Sequence, residues 1–105
     1  MNVVRDNQER HRYEIEVDGE LAGFVQYNLR AGRLILVHTE IDDAFGGRGL
    51  GSILAGAALD DARAHGHPVV PLCPFIAAYI DRHPEYADLV DTTLLAAFEQ
   101  SNPAS

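Results

Sequence analysis

Apolar and polar residues alternate strictly along Tyr13-Glu14-Ile15-Glu16-Val17, the period of a half-buried strand. Asp18-Gly19 follows, a pair suited to a type I′ turn, in which both central residues need positive φ. Leu21 to Leu29, with Phe24, Val25 and Tyr27, reads as the returning strand, and Gly23 within it marks a bulge or a close approach. Ala31-Gly32 forms a second turn. Arg33 to Glu40 is a third strand whose continuous apolar run calls for burial on both faces. After a loop from Ile41 to Gly47 the period changes. From Gly49 to His65, Leu50, Ile53, Leu54, Ala57 and Ala58 recur at helical spacing, and Gly66 and Pro68 end the helix. Val69 to Leu72 is a short fourth strand, with Pro71 at a bulged or unpaired position. Pro74 opens a second helix over Phe75 to Arg82, stopped by His83-Pro84. Leu94 to Glu99 reads as a last short helix started by Asp91, Thr92 or Thr93. Met1 to His11 shows no period and reads as a frayed start, and Ser101 to Ser105 as a loose end. The order βββαβα, an antiparallel three-stranded meander feeding one crossover, places the chain in the α+β class.

A length of 105 residues fits one domain, 1–105, with its core over about 13–86 and a C-terminal extension over 90–105. The hydrophobic fraction of 47% and charged fraction of 23% are those of a folded chain. Sixteen acidic residues face eight basic ones, a formal charge of −8, which argues against nucleic acid as the main partner. All eight basic residues are Arg. Without Lys there is neither Schiff-base chemistry nor a phosphate-binding GK[ST] loop. One cysteine, Cys73, excludes an internal disulfide. No apolar leader and no membrane-length run is present, so the chain reads as soluble and cytoplasmic.

Phe45-Gly46-Gly47-Arg48-Gly49-Leu50-Gly51-Ser52 lies between a buried strand and an amphipathic helix. Glycines there let backbone N–H groups converge and a ligand approach without a Cβ in the way. The helix N-terminus adds orphan donors and its dipole, and Arg48 adds a full charge, so pyrophosphate suits the turn. A dinucleotide fingerprint fits poorly, because the spacing is G-G-x-G-x-G and antiparallel strands precede it. The competing reading is a turn whose glycines serve only tight helix–strand packing. His65-Gly66-His67 lacks a third nearby ligand, so no metal is expected. Asp60-Asp61 reads as the solvated face of the first helix.

The run LVHTEIDDAFGGRGLGSILAGAALDDARAHG, from Leu36, resembles the acetyl-CoA-binding core of the GCN5-related N-acetyltransferases. Their [QR]-x-x-G-x-[GA] pattern falls on Gly46 to Gly51. Gly49 and Gly51 match, and Gly46 stands where Gln or Arg is usual. The block VVPLCPFIAAYIDRHPEY and the short length resemble the minimal, YjdJ-type subfamily, over about Tyr13 to Tyr86. That subfamily lacks the N-terminal helices that shape the acceptor pocket of larger relatives. The resemblance implies a minimal acetyltransferase fold that binds acetyl-CoA. Its contacts would fall on Thr39, Glu40, Gly46, Gly47, Arg48, Gly49, Leu50, Gly51, Ser52 and Tyr79. It also implies Cys73 and His38 as catalytic residues.

Direct acetyl transfer needs a polarised thioester, a deprotonated amine and a protonated leaving thiolate. Cys73 stands where a strand ends and a helix begins, which favours thiolate, although a lone Cys also serves as a small buried apolar residue. His38 is a candidate base toward Cys73 or the amine, or a hydrogen-bonded structural His. A Cys73–His38 pair would permit an acetyl-cysteine intermediate. Glu40 is an alternative base, and Tyr79 either a proton donor or a packing aromatic. His83-Pro84-Glu85-Tyr86 reads equally as a helix stop or as a loop tucked against the cofactor. The chain is therefore expected to be an acetyl-CoA-dependent N-acetyltransferase acting on a small-molecule or peptide amine, with no membrane partner. The alternatives are a non-catalytic acyl-CoA-binding or regulatory module, and an interaction domain. Acidity favours a cationic acceptor by steering. Oligomeric state is not legible in the sequence.

Overall fold

A computed structural model describes residues 1–91 as one five-stranded sheet covered on one face by two α-helices. The strands are β1 (Asn2–Asn7), β2 (Arg12–Val17), β3 (Glu20–Arg30), β4 (Arg33–Ile41) and β5 (Val69–Pro71). The helices are α1 (Leu50–His65) and α2 (Pro74–Arg82), with 3-10 turns over Asp43–Phe45 and Pro84–Leu89. The sheet order is β1-β2-β3-β4-β5, with β1 to β4 antiparallel and β5 parallel to β4. The α+β class stands. The short helix expected over Leu94–Glu99 and the loose end Ser101–Ser105 lie outside the described residues.

The N-terminus corrects the expected frayed start. Asn2 to Asn7 pairs along the whole of β2, from Asn2↔Val17 to Asn7↔Arg12, so the meander has four strands. Its side chains are largely exposed, so alternation gives no signal there. Backbone pairing holds this edge strand, helped by Arg5–Glu16 at 3.0 Å and Asn7–Glu14 at 3.3 Å. Both expected hairpin turns form, with positive φ at Asp18 and Gly19 and at Ala31 and Gly32. At Gly23 both sequence readings hold. The β2–β3 register shifts beside it, and a Cβ there would come within 2.6 Å of the Glu40 carbonyl oxygen.

The core lies between the sheet and α1. Leu50, Leu54, Ala55, Ala58, Leu59 and Ala62 are buried against Ile15, Val25 and Leu36. The buried stripe is thus rotated from the expected one, and Ile53 is 43% exposed. Small alanines on the buried stripe let α1 approach the sheet closely. Because β4 and β5 are parallel, α1 runs back antiparallel to β4. Its first turn sits by the end of β4 and its last turn by the beginning. The helix therefore has a front end and a rear end about 24 Å apart.

Candidate active site

At the front end, β4 and β5 separate. Their ladder runs Leu34↔Val69, Ile35↔Val70, Leu36↔Pro71 and goes no further. Pro71 cannot donate, and the chain turns into α2, with the Cys73 N–H donating to the Leu36 carbonyl at 3.0 Å. Among the described residues β4 continues to Ile41 with no strand paired on that side. A register shift against Gln26 and Tyr27 makes Val37 an extra residue in β4. Beyond it the ladder phase follows from the Asp42 N–H donating to the Ala22 carbonyl at 2.8 Å. Alternation then pairs the Glu40 and His38 backbones with β3 and turns those of Thr39 and Ile41 toward the gap. Val37, Ile53, Leu72 and Phe75, on the elements bordering the gap, are large apolar side chains each more than a third exposed. The gap thus offers backbone hydrogen-bonding groups with apolar flanks, the lining that suits an extended amide-bearing chain.

The Gly-rich turn adjoins this gap. Gly47 and Gly49 have φ of 80° and 72°, the left-handed region that favours glycine, and no atom stands within 4 Å of a Cβ built on either. Gly49 is the N-cap of α1, with no side-chain cap bond and no acidic residue in the first turn. The N–H groups of Leu50, Gly51 and Ser52 are therefore left for a ligand or solvent. Arg48 is exposed and lies over the Phe45 ring at 5.3 Å. Gly51 has a different reason to be glycine. A Cβ there would meet the Phe75 ring at 2.8 Å, so it permits α1 to pack on α2. The packing explanation thus accounts for Gly51, and the open backbone of the turn for Gly47 and Gly49.

The structure brings Cys73 to the foot of the gap. It caps α2 from an extended backbone, is 4% exposed, and has its Sγ 3.3 Å from the Thr39 Oγ1. His38 lies elsewhere. Successive strand residues point to opposite faces, and the exposed His38 ring meets the Phe24 ring edge-on at 6.2 Å. The hydrogen-bond partner of the thiol is thus a hydroxyl and not an imidazole. Tyr79 is buried on α2, stacked on His83 at 4.1 Å, with its hydroxyl against α1 at Gly56. Burial, and then Asp60 and Glu85, raise its pKa, so it remains a phenol. The His83-Pro84 stop leads into a turn pinned to α1 by Arg63–Asp88 and Tyr86–Asp60.

Beside the end of β4 lies a groove of about 360 Å³ lined by residues 21–24 and 40–43. Glu40, Asp42 and Asp43 give it three carboxylates, with Phe24 as an aromatic wall. Sequence reasoning missed this groove, the apolar flanks of the gap and the backbone of Ile41. Gly23 was the available signal, because a strand glycine pressed against Glu40 and Ile41 leaves a hollow where a side chain would stand. Among the described residues no group of three His, Cys, Asp or Glu can hold a metal ion. No described helix is long and apolar enough to cross a membrane.

Residues 12–89 match the family model described as GCN5-related N-acetyl-transferase. Among solved structures the chain is similar to the crystal structure of ribosomal-protein-alanine N-acetyltransferase from Brucella melitensis biovar Abortus 2308. The TM-score is 0.53 at 22% identity, covering 79% of this chain and 64% of that one. At that identity the likeness is one of fold, and this chain spans a little under two thirds of that neighbour.

Proposed function

The chain belongs to the GCN5-related N-acetyltransferase family, and from that premise we propose that it is an acetyl-CoA-dependent N-acetyltransferase acting on a cationic amine. The observation that carries this reading is the separation of β4 from β5 next to an uncapped helix N-terminus in a Gly-rich turn. The backbone donors from Gly47 to Ser52, with Arg48, suit a pyrophosphate. The freed backbone of Thr39 and Ile41 suits the pantetheine amides and, at its inner end, a thioester oxygen. When bound, acetyl-CoA supplies the activated acetyl group and a thiolate leaving group. Glu40 enters this reading through its side chain, since its backbone is paired with β3.

The two catalytic residues act from opposite sides of β4. Cys73, held by Thr39, donates its Sγ proton to the leaving sulfur, and Tyr79 packs behind it as a neutral phenol. His38, exposed beside Phe24 and the carboxylate groove, takes a proton from the acceptor ammonium. Glu40, Asp42 and Asp43 attract that ammonium. Direct transfer fits this division of labour better than an acetyl-cysteine, because a hydroxyl neighbour is no base for the thiol.

The test is acetyl transfer from acetyl-CoA to a panel of small amines and Lys-bearing peptides, followed by mass spectrometry of the protein. Turnover of a cationic acceptor, with no acetyl adduct left on the protein, is expected. Cofactor binding without turnover across the panel would contradict catalysis and leave an acyl-CoA-binding module. A stable adduct that vanishes in Cys73→Ala would replace direct transfer with the covalent route.

A further inference from the structure

The rear end of α1 holds a second, larger groove of about 600 Å³, within the range of small-ligand sites. Its walls come from four elements and two turns, and its floor is the pair of buried rings Tyr13 and Tyr27, tilted 43° with centroids 5.2 Å apart. Each phenol donates to a carboxylate of the lining, Tyr13 to Asp61 at 2.6 Å and Tyr27 to Asp6 at 2.7 Å. Asp61, which the sequence reads with Asp60 as the solvated face of the helix, thus faces a cavity.

The remaining polar lining is Gln8, whose amide both donates and accepts, and the imidazoles of His11, His65 and His67. The His65 and His67 Nδ1 atoms lie 2.9 Å from the carbonyl oxygens of Asp61 and Gly32. A carbonyl only accepts, so each Nδ1 carries the hydrogen, His65 Nδ1 lying also 3.3 Å from Asp61 Oδ1, and in the neutral form of each ring Nε2 keeps a lone pair. The two rings are stacked at 5.9 Å. His11 meets Tyr27 edge-on at 6.2 Å, and no Arg lines the groove. Two carboxylates, two imidazole lone pairs and an aromatic floor form a wall rich in acceptors. It contains no fixed positive charge.

We propose that this rear groove is a binding site for an alkyl di- or polyammonium ion, separate from the acetyl-transfer site. Ammonium groups would donate to the carboxylate lone pairs that the phenols leave and to Nε2, and methylene segments would lie on the tyrosine rings. A metal ion fits less well, because among the described residues no three His, Cys, Asp or Glu side chains converge. The proposal does not depend on acetyl transfer, since the groove lies at the other end of α1.

The chain has no Trp and four Tyr, two of them in this floor, so tyrosine fluorescence reports on occupancy. Spermidine is titrated into the full chain without acetyl-CoA, at about 0.15 M ionic strength so that distant charges are screened. Saturable one-to-one binding is expected, weakened about tenfold or more in Asp61→Asn and in Asp6→Asn through loss of a charge-assisted bond. Asn keeps an acceptor for each phenol, and thermal unfolding of each variant alone confirms its fold. Asp60→Asn, which removes the same charge outside the groove, should bind as the parent does. Non-saturable binding, or equal weakening in Asp60→Asn, would overturn the proposal in favour of general attraction to an acidic protein. Loss of binding in Asp43→Asn with retention in Asp61→Asn would overturn it in favour of the front groove.

Discussion

The two ends of α1 are built on opposite electrostatic plans. The front end presents backbone donors, Arg48 and positive-φ glycines, with no carboxylate in the first helical turn. The rear end presents carboxylates and imidazole acceptors over two tyrosine rings. Both follow the helix macrodipole, whose positive end attracts anions and whose negative end attracts cations. The first turn of α1 thus borders backbone suited to phosphate, beside the Glu40, Asp42 and Asp43 groove, and its last turn borders a separate groove suited to ammonium. The difference also shows that backbone alone can make an anion site, whereas the rear groove needs side chains from distant segments.

The front end is most sharply tested at Cys73. Cys73→Ala should lower kcat by about 10²-fold, the usual contribution of a proton donor, while affinity for acetyl-CoA is nearly unchanged. Parent-like kcat in steady-state assays would remove the thiol from the reaction. Next in size is Gly49→Val. A β-branched residue in the left-handed region costs roughly 1–2 kcal/mol, so the cap should rearrange and cofactor affinity fall by about tenfold. Calorimetric titration with CoA measures this, and spermidine binding at the rear should not change. Gly51→Val acts by another route. It drives a side chain into Phe75 and should cost about 1–3 kcal/mol in denaturant unfolding, because that glycine serves packing. A smaller effect is expected for Glu40→Gln with Asp43→Asn, which should raise KM for a cationic acceptor about threefold and leave KM for acetyl-CoA alone.

The smallest effect concerns alkaline stability. The bond to Asp60 and then burial push the Tyr86 pKa up from 10.0 to about 12. The native state therefore favours the neutral phenol. Its contribution is complete below pH 10 and is lost as pH rises toward 12. Thermal unfolding followed over that window should show a falling midpoint, with a shallower fall in Tyr86→Phe. An equal fall in both would assign the loss to other groups.

Much of the fold was legible because it rests on local period and turn chemistry. The hairpins at Asp18-Gly19 and Ala31-Gly32, α1 and α2 all follow from residues adjacent in sequence. β1 was not legible, since an exposed edge strand is held by backbone pairing to β2 and carries no apolar alternation. The Gly-rich turn was readable, because positive φ and an uncapped helix start are written in glycine. The surroundings of Cys73 were not. They depend on which face each β4 residue takes after the extra residue at Val37, and that places Thr39 beside the thiol and His38 across the strand. The rear groove was hidden for a different reason. Asp6, Tyr27 and Asp61 are far apart in sequence and meet only through the register of β1 to β3 and the packing of α1.

The central claim is that the gap between β4 and β5, with the Gly-rich turn, holds acetyl-CoA. Native mass spectrometry of the chain with acetyl-CoA tests it most directly, with Gly49→Val in parallel. The account predicts one retained cofactor per chain in the parent and strongly reduced retention in Gly49→Val. Absence of any complex in the parent, or equal retention in the two proteins, would contradict it.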